Sequence, residues 1–254
     1  MTAIHRQIVY GPVRSRRLGV SLGINLLPAD GKVCSFDCIY CECGLNRERP
    51  THSPLPCRTA IAAALETALL KEHTIPDVLT FAGNGEPTLH PDFPAIIDDT
   101  VALRDSLAPS ARIAVLSNST MLHHPQVAEA LLRVDDCILK LDSVLDERIR
   151  ILNAPLSPAF TFGSLLPQLE AFSAKGIIQT MFLKGIYKGE PLTNTTEEEI
   201  TGWLDALLRI RPRQVMIYTL ARDTPVEGLQ KLAPSEMALI AERVKKAGME
   251  VSVS

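Results

Sequence analysis

Six times along this chain a short β-branched or aliphatic run is followed by a loop and then by an amphipathic helical stretch, and this order constrains the fold more than any other feature. The runs are VSLGINL (20–26), VLTFAG (78–83), IAVLSN (113–118), CILKLDS (137–143), IQTMFLKG (178–185) and VMIYTLAR (215–222). The helical stretches are TAIAAALETALLKEH, FPAIIDDTVALRDSL, PQVAEALLRV, FGSLLPQLEAFSAKG, TEEEITGWLDALLRIR and PSEMALIAERVKKAG. Strands separated by helices cannot pair through tight hairpins; they pair in parallel through helical crossovers. The expectation is an α/β fold whose mainly parallel sheet wraps into a full or partial barrel. Thr195 or Thr196 is placed to cap the helix that follows, and Gly176 and Gly248 sit where a left-handed helix end is wanted. MEVSVS (249–254) reads as a seventh strand or a tail.

At 254 residues, 46% hydrophobic, with no linker or low-complexity tract, the chain suits a single domain over 1–254: an extension over 1–19, the core over 20–248, and the last run over 249–254. A formal net charge of -3 excludes a whole-surface basic field for nucleic acid and leaves a local patch open. The N-terminus has no apolar signal core, and no run approaches the roughly 20 apolar residues that span a bilayer, so the expectation is a cytoplasmic protein without membrane contact. Thiols stay reduced in that compartment. Clustered cysteines are then metal ligands before they are disulfides.

Such a cluster exists. GKVCSFDCIYCECG, which follows the first strand, holds four of the six cysteines, Cys34, Cys38, Cys41 and Cys43. The other strands end in GNGEPT, SNST, KLDS, LKG and TLAR, so polar groups gather at the carboxyl ends, where an α/β barrel carries its function. Three thiolates spaced C-x₃-C-x₂-C are too few for a closed zinc site, and Cys43, one residue past Cys41, would chelate awkwardly as a fourth. A cubane iron–sulfur cluster takes one thiolate on each iron, so three cysteines leave one iron open to a ligand.

CSFDCIYC resembles the C-x₃-C-x-aromatic-C motif of radical S-adenosylmethionine enzymes, with Tyr40 as the aromatic residue, and GNGEP resembles their strand-two glycine–glutamate motif. GPVRSRRLGVSLGIN and the units that follow are similar to the wybutosine-synthesis-like branch, so the resemblance covers nearly the whole chain. It implies a partial (βα)6 TIM-like barrel in which Cys34, Cys38 and Cys41 ligate a [4Fe–4S] cluster that chelates S-adenosylmethionine. One electron then cleaves the cofactor to methionine and a 5′-deoxyadenosyl radical, which abstracts hydrogen from a substrate.

The resemblance also assigns a cofactor site. Gly83 and Gly85 leave room for close approach of a ligand, Asn84 stands where glycine is commoner, and Glu86 offers a carboxylate to the cofactor's ammonium. Alone, these residues would read as a turn with a solvated glutamate. Ser117 and Asn118 are candidates for the methionyl carboxylate or ribose, or else ordinary turn residues. Lys140 and Asp142 alternate on a strand and share a side, opposite Leu139 and Leu141. They bind cofactor if that side is the lumen, and otherwise form an ion pair. Cys43, Cys57 and Cys137 read as incidental thiols. Arg14, Arg16 and Arg17 form an anion site or a solvated basic segment, and Arg222 is a weaker contact candidate. Reduction is expected from an external one-electron donor of flavodoxin or ferredoxin type. The substrate class, small molecule, peptide or RNA, stays open, as do two alternatives: a tRNA base-modifying enzyme and a non-catalytic iron–sulfur or zinc protein.

Overall fold

The structure, a computed structural model, describes residues 4–15, 18–71 and 76–254. In chain order its strands are β1 (Val9–Ser15), β2 (Gly19–Ile24), β3 (Val78–Phe81), β4 (Arg112–Ser117), β5 (Asp136–Lys140), β6 (Gly176–Met181), β7 (Leu183–Tyr187), β8 (Glu190–Thr193), β9 (Gln214–Tyr218), β10 (Leu229–Lys231) and β11 (Val251–Val253). The helices are α1 (Arg58–Lys71), α2 (Phe93–Leu107), α3 (Pro125–Arg133), α4 (Asp146–Leu152), α5 (Phe162–Glu170), α6 (Glu197–Ile210) and α7 (Pro234–Lys246).

An eight-stranded sheet runs β1-β2-β3-β4-β5-β6-β9-β11, parallel throughout except for the antiparallel β1–β2 pair. It curls into a half-barrel with β1 and β11 as its edges, the partial (βα)6 barrel expected. β3 and β6 are buried at every position, the continuous apolar signature of parallel strands covered on both faces. On the convex face Ile24, Phe81, Ile113, Leu139, Ile178 and Val215 pack with helical Ile61, Leu65, Phe93, Ile96 and Trp203.

The concave face is layered with the two-residue period of a strand. Val78, Ala114, Ile138, Ile177 and Met216 form an apolar floor. Two residues further along the same strands come Thr80, Leu116, Lys140, Gln179 and Tyr218, which line the space above it. Lys140 therefore faces the lumen while Leu139 and Leu141 lie in the convex core. The carboxyl ends of the strands hold the polar layer.

Several elements differ from the sequence expectation. β1 adds a strand before the first expected one. IQTMFLKG divides: after Met181 the Phe182 N–H donates to Tyr218 O at 2.8 Å, and the chain enters a separate antiparallel sheet, β10-β7-β8. Helix α4 fills a stretch expected to be loop, and α5 ends at Glu170. Thr196 caps α6 by accepting the Glu199 N–H at 3.3 Å. Gly248 takes the left-handed conformation (φ 82°), but Gly176 opens β6 and the left-handed residue there is Ala174. The last run is the strand β11, parallel to β9. No helix among the described residues is long and apolar enough to cross a membrane.

Candidate functional site

The cysteine loop is sewn to the barrel at both ends. On one side the Val33 N–H donates to Asn84 O at 2.9 Å and the Glu86 N–H donates to Val33 O at 3.0 Å, a parallel bridge between Val33 and Gly85. On the other, Asp37 N–H donates to Asn153 O at 2.9 Å and Ile39 N–H to Leu152 O at 3.1 Å, at the end of α4. Inside the loop Cys41 N–H donates to Cys38 O and Gly44 N–H to Cys41 O, so tight turns bring Cys34, Cys38 and Cys41 to one wall. They line a chamber of about 270 Å³ together with Tyr40, Glu86, Ser117, Asn118, Lys140 and Tyr218.

None of these cysteines is in a disulfide. Asn118 Nδ2 lies 3.5 Å from Cys34 Sγ, and Asn153 Nδ2 lies 3.6 Å from Cys38 Sγ. Burial pushes the Cys34 thiol well up and the Cys38 thiol up to about 11, the Lys140 ammonium opposing the latter. A hydrogen bond from Cys43 holds Cys41 down to about 6 against burial, with the Lys32 ammonium helping. Among the described residues no group of three His, Cys, Asp or Glu is arranged around a single-ion position. A cubane takes one thiolate per iron. Three disulfide-free cysteines on one chamber wall, with amide donors beside two of them, fit such a cluster.

Glu86 is buried at the end of the β3 loop, with Oε1 accepting from the Thr88 N–H at 3.1 Å and Oε2 from the Asn118 N–H at 2.6 Å. Burial raises its pKa while these donors oppose the rise. The glycines before it line the chamber, and the places their Cβ atoms would take are filled by protein. A Cβ on Gly83 would come 2.4 Å from Asn25 Oδ1, and one on Gly85 1.8 Å from Val33 O. Asn84 turns away from the chamber, its Nδ2 donating to His5 O and Pro28 O and its Oδ1 accepting the His5 N–H, so it ties the N-terminal segment to this loop.

Lys140 Nζ lies 3.1 Å from Tyr218 Oη and 3.5 Å from Asp142 Oδ2, over the Tyr40 and Tyr218 rings. Asp142 is fully engaged: Oδ2 accepts from the Tyr40 hydroxyl and from Asn153 Nδ2 at 2.6 Å, and Oδ1 accepts the Met181 N–H at 2.9 Å. Ser117 Oγ accepts the Ser119 N–H at 3.1 Å, and Asn118 Nδ2 donates to Ser35 Oγ at 2.9 Å. The expected residues other than Asn84 and Asp142 thus line one chamber, and Asp142 lies behind Tyr40 and Lys140. Asn153 and Lys32 join them without any motif to announce it.

A second chamber of about 490 Å³ adjoins the first across Cys43, Gly83, Leu116 and Gln179, and reaches the apolar floor at Ile138 and Met216. Gln179 is 5% exposed, and no acceptor takes its Nε2 hydrogens. Arg14 stands at the rim of this chamber, and Arg222 bonds Glu42 of the cysteine loop at 2.5 Å. Arg16 and Arg17 lie outside the described residues. Cys43 donates to Gly83 O at 3.2 Å, Cys57 is exposed, and Cys137 is buried in the convex core.

No protein-family model matches the chain. It is 30% identical to a UPF0026 protein of Synechocystis sp. over 86% of its own length and 77% of the relative's. It is also 30% identical, over 94% of its length, to a Brachyspira hyodysenteriae protein named GTPase Obg, of which it spans only 33%. Among solved structures it resembles Streptococcus suis SuiB bound to S-adenosylmethionine (TM-score 0.64, 13% identity, 91% of this chain and 50% of SuiB). It also resembles archaeal TYW1 (TM-score 0.54, 13% identity, 89% of this chain and 72% of TYW1).

Proposed function

This chain belongs to the UPF0026 family and is built on the radical S-adenosylmethionine fold, and we propose on that premise that it is a radical S-adenosylmethionine enzyme acting through a [4Fe–4S] cluster. With both cofactors bound, one-electron reduction supplies methionine and a 5′-deoxyadenosyl radical able to abstract hydrogen from a substrate. The chain's own residues bind, orient and shield. Cys34, Cys38 and Cys41 hold the cluster and leave one iron open. Thr88 fills Glu86 Oε1 with both its N–H and its hydroxyl, so the oxygen left to meet a ligand is Oε2, which takes the Asn118 N–H. The carboxylate can therefore accept the cofactor's ammonium from within the chamber.

Lys140 supplies the positive charge that meets the cofactor's carboxylate, and the two tyrosine rings keep its ammonium in place. Ser117 and Asn118, already oriented by their own hydrogen bonds, present polar edges to the same ligand. Asp142 acts through others: its bonds to Tyr40 and Asn153 hold the aromatic residue of the cysteine loop against the chamber. The adjoining chamber receives the substrate, within reach of the first across Gln179 and Leu116. Electrons come from an external one-electron donor.

The observation that carries this reading is that Cys34, Cys38, Cys41 and Glu86, none of the cysteines in a disulfide, line one chamber whose cysteine wall is tied to the Glu86 loop by the Val33–Gly85 bridge. The test is anaerobic incubation of the iron-reconstituted protein with S-adenosylmethionine and dithionite. Formation of 5′-deoxyadenosine is expected. Its absence from protein that carries a full iron complement would contradict the reading.

A further inference from the structure

The loop that carries the three cysteines is folded around a cation. The Lys32 side chain is 1% exposed, and its Nζ donates to Gly44 O at 2.8 Å and to Asp37 Oδ1 at 3.2 Å. It therefore reaches from the residue two before Cys34 to a carbonyl three after Cys41. Asp37 Oδ1 also accepts the Asn46 N–H at 2.8 Å, and Asn46 Nδ2 in turn bonds Cys34 O at 3.1 Å and Phe36 O at 3.2 Å.

Burying an ammonium is costly unless opposite charge compensates it. Here the carboxylate partner is 22% exposed and shared with Asn46, so it compensates only in part. The groups facing Lys32 otherwise are Cys41, Cys34 and Cys38, all within Coulombic reach. Thiolates bound to a cluster are the anions that this buried charge complements.

We propose that Lys32 is a positioning residue for the cluster's charge: its ammonium, fixed by Gly44 and Asp37, favours the reduced cluster and raises its reduction potential. This rests on the cluster assignment made under Proposed function. In the step concerned, one electron passes from the external donor to the cluster, no bond in the loop forms or breaks, and no proton moves. The reduced cluster carries one more negative charge than the oxidised one, so a fixed positive charge nearby stabilises it more.

The test compares reconstituted wild type with Lys32→Met, Lys32→Arg and Asp37→Asn by iron content and by redox titration followed by electron paramagnetic resonance. Lys32→Met should keep its iron, while its reduced-to-oxidised ratio at a given potential falls by about tenfold or more, a midpoint lower by at least ~59 mV for a one-electron couple. Lys32→Arg should stay near wild type. Asp37→Asn keeps the acceptor for Asn46 but removes the compensating charge, so its midpoint should rise. An iron-loaded Lys32→Met with an unchanged midpoint overturns the proposal. If Lys32→Met cannot hold iron, Asp37→Asn decides: a rise supports the proposal, and an unchanged or lower midpoint overturns it. A wild-type chain that takes up no iron overturns the cluster assignment itself, and this inference with it.

Discussion

The Val33 carbonyl oxygen occupies the place where a side chain on Gly85 would begin: a Cβ there would lie 1.8 Å from it, and Gly85 holds a φ of 135°. The same carbonyl accepts the Glu86 N–H, so one contact sets both the cysteine loop and the carboxylate of the chamber. Gly85→Ala must push the loop away. Positive φ alone costs about 1–3 kcal/mol, and the backbone clash adds to it. Thermal unfolding should show a clear loss of stability and iron uptake should fall. Gly189→Ala, at φ 86° with nothing within 4 Å of the added Cβ, should lose only the conformational part and keep its iron.

Cys34→Ala, Cys38→Ala and Cys41→Ala should each lose most of the iron, because three thiolates leave no spare anchor for a cubane. Cys43→Ala should retain it, its thiol being directed to Gly83 O and Cys41 rather than forming a separate corner of the chamber. Iron assay on the four variants settles the ligand set. Iron lost from Cys43→Ala and kept by Cys41→Ala would exchange the two.

Glu86→Gln separates cofactor affinity from cluster binding. A hydrogen bond to a charged group contributes about 1.5–3 kcal/mol, so S-adenosylmethionine should bind roughly tenfold or more weakly at about 1.4 kcal/mol per decade. Calorimetric titration measures this, and iron content should not change. Stability should move the other way. Burial raises the folded pKa of Glu86 above its ordinary 4.5, so the native chain holds a proton that the unfolded chain releases. That contribution is complete below pH 4.5 and is lost as pH rises through the raised value. The ligand-free Gln variant should therefore gain on wild type at neutral pH relative to below pH 4.5, as read from denaturant melts.

Much of this arrangement is legible in sequence because it rests on local patterns. The aliphatic runs of β3 to β6 and β9 reveal a covered parallel sheet, and two-residue alternation places Lys140 and Asp142 opposite Leu139 and Leu141. β1 is less visible, since Gly11 and Pro12 interrupt its run with a kink at a register shift. Periodicity also cannot show that the chain changes sheets at Phe182, because β6 and β7 are equally strand-like. In the site, the cysteine spacing announces the three thiols of one wall, but Asn84, Lys32 and Asn153 acquire their contacts only through partners distant in sequence or packed inside a loop. The Gly83–Gly85 spacing suggests room for a ligand; both glycines line the chamber, and the places of their absent Cβ atoms are taken by Asn25 and Val33. Which neighbour requires a glycine is a property of the fold.

Gln179→Met should show function and stability in opposition. The buried Nε2 has no partner in the ligand-free chain, and an unsatisfied buried polar group costs about 1–3 kcal/mol. A thioether of similar size removes that cost, so thermal melting should be unchanged or raised. If the adjoining chamber receives substrate, turnover of the natural substrate should fall while substrate-free S-adenosylmethionine cleavage persists. A large drop in melting temperature would mean that the amide is satisfied in solution.

The most direct measurement is the electron paramagnetic resonance spectrum of the anaerobically reconstituted, dithionite-reduced protein, recorded before and after addition of S-adenosylmethionine. An open iron beside Glu86 and Lys140 predicts a brown protein whose reduced-cluster signal changes on adding the cofactor, with neither colour nor signal in a chain lacking Cys34, Cys38 and Cys41. A colourless protein, or a cluster signal that S-adenosylmethionine leaves unchanged, would contradict the account.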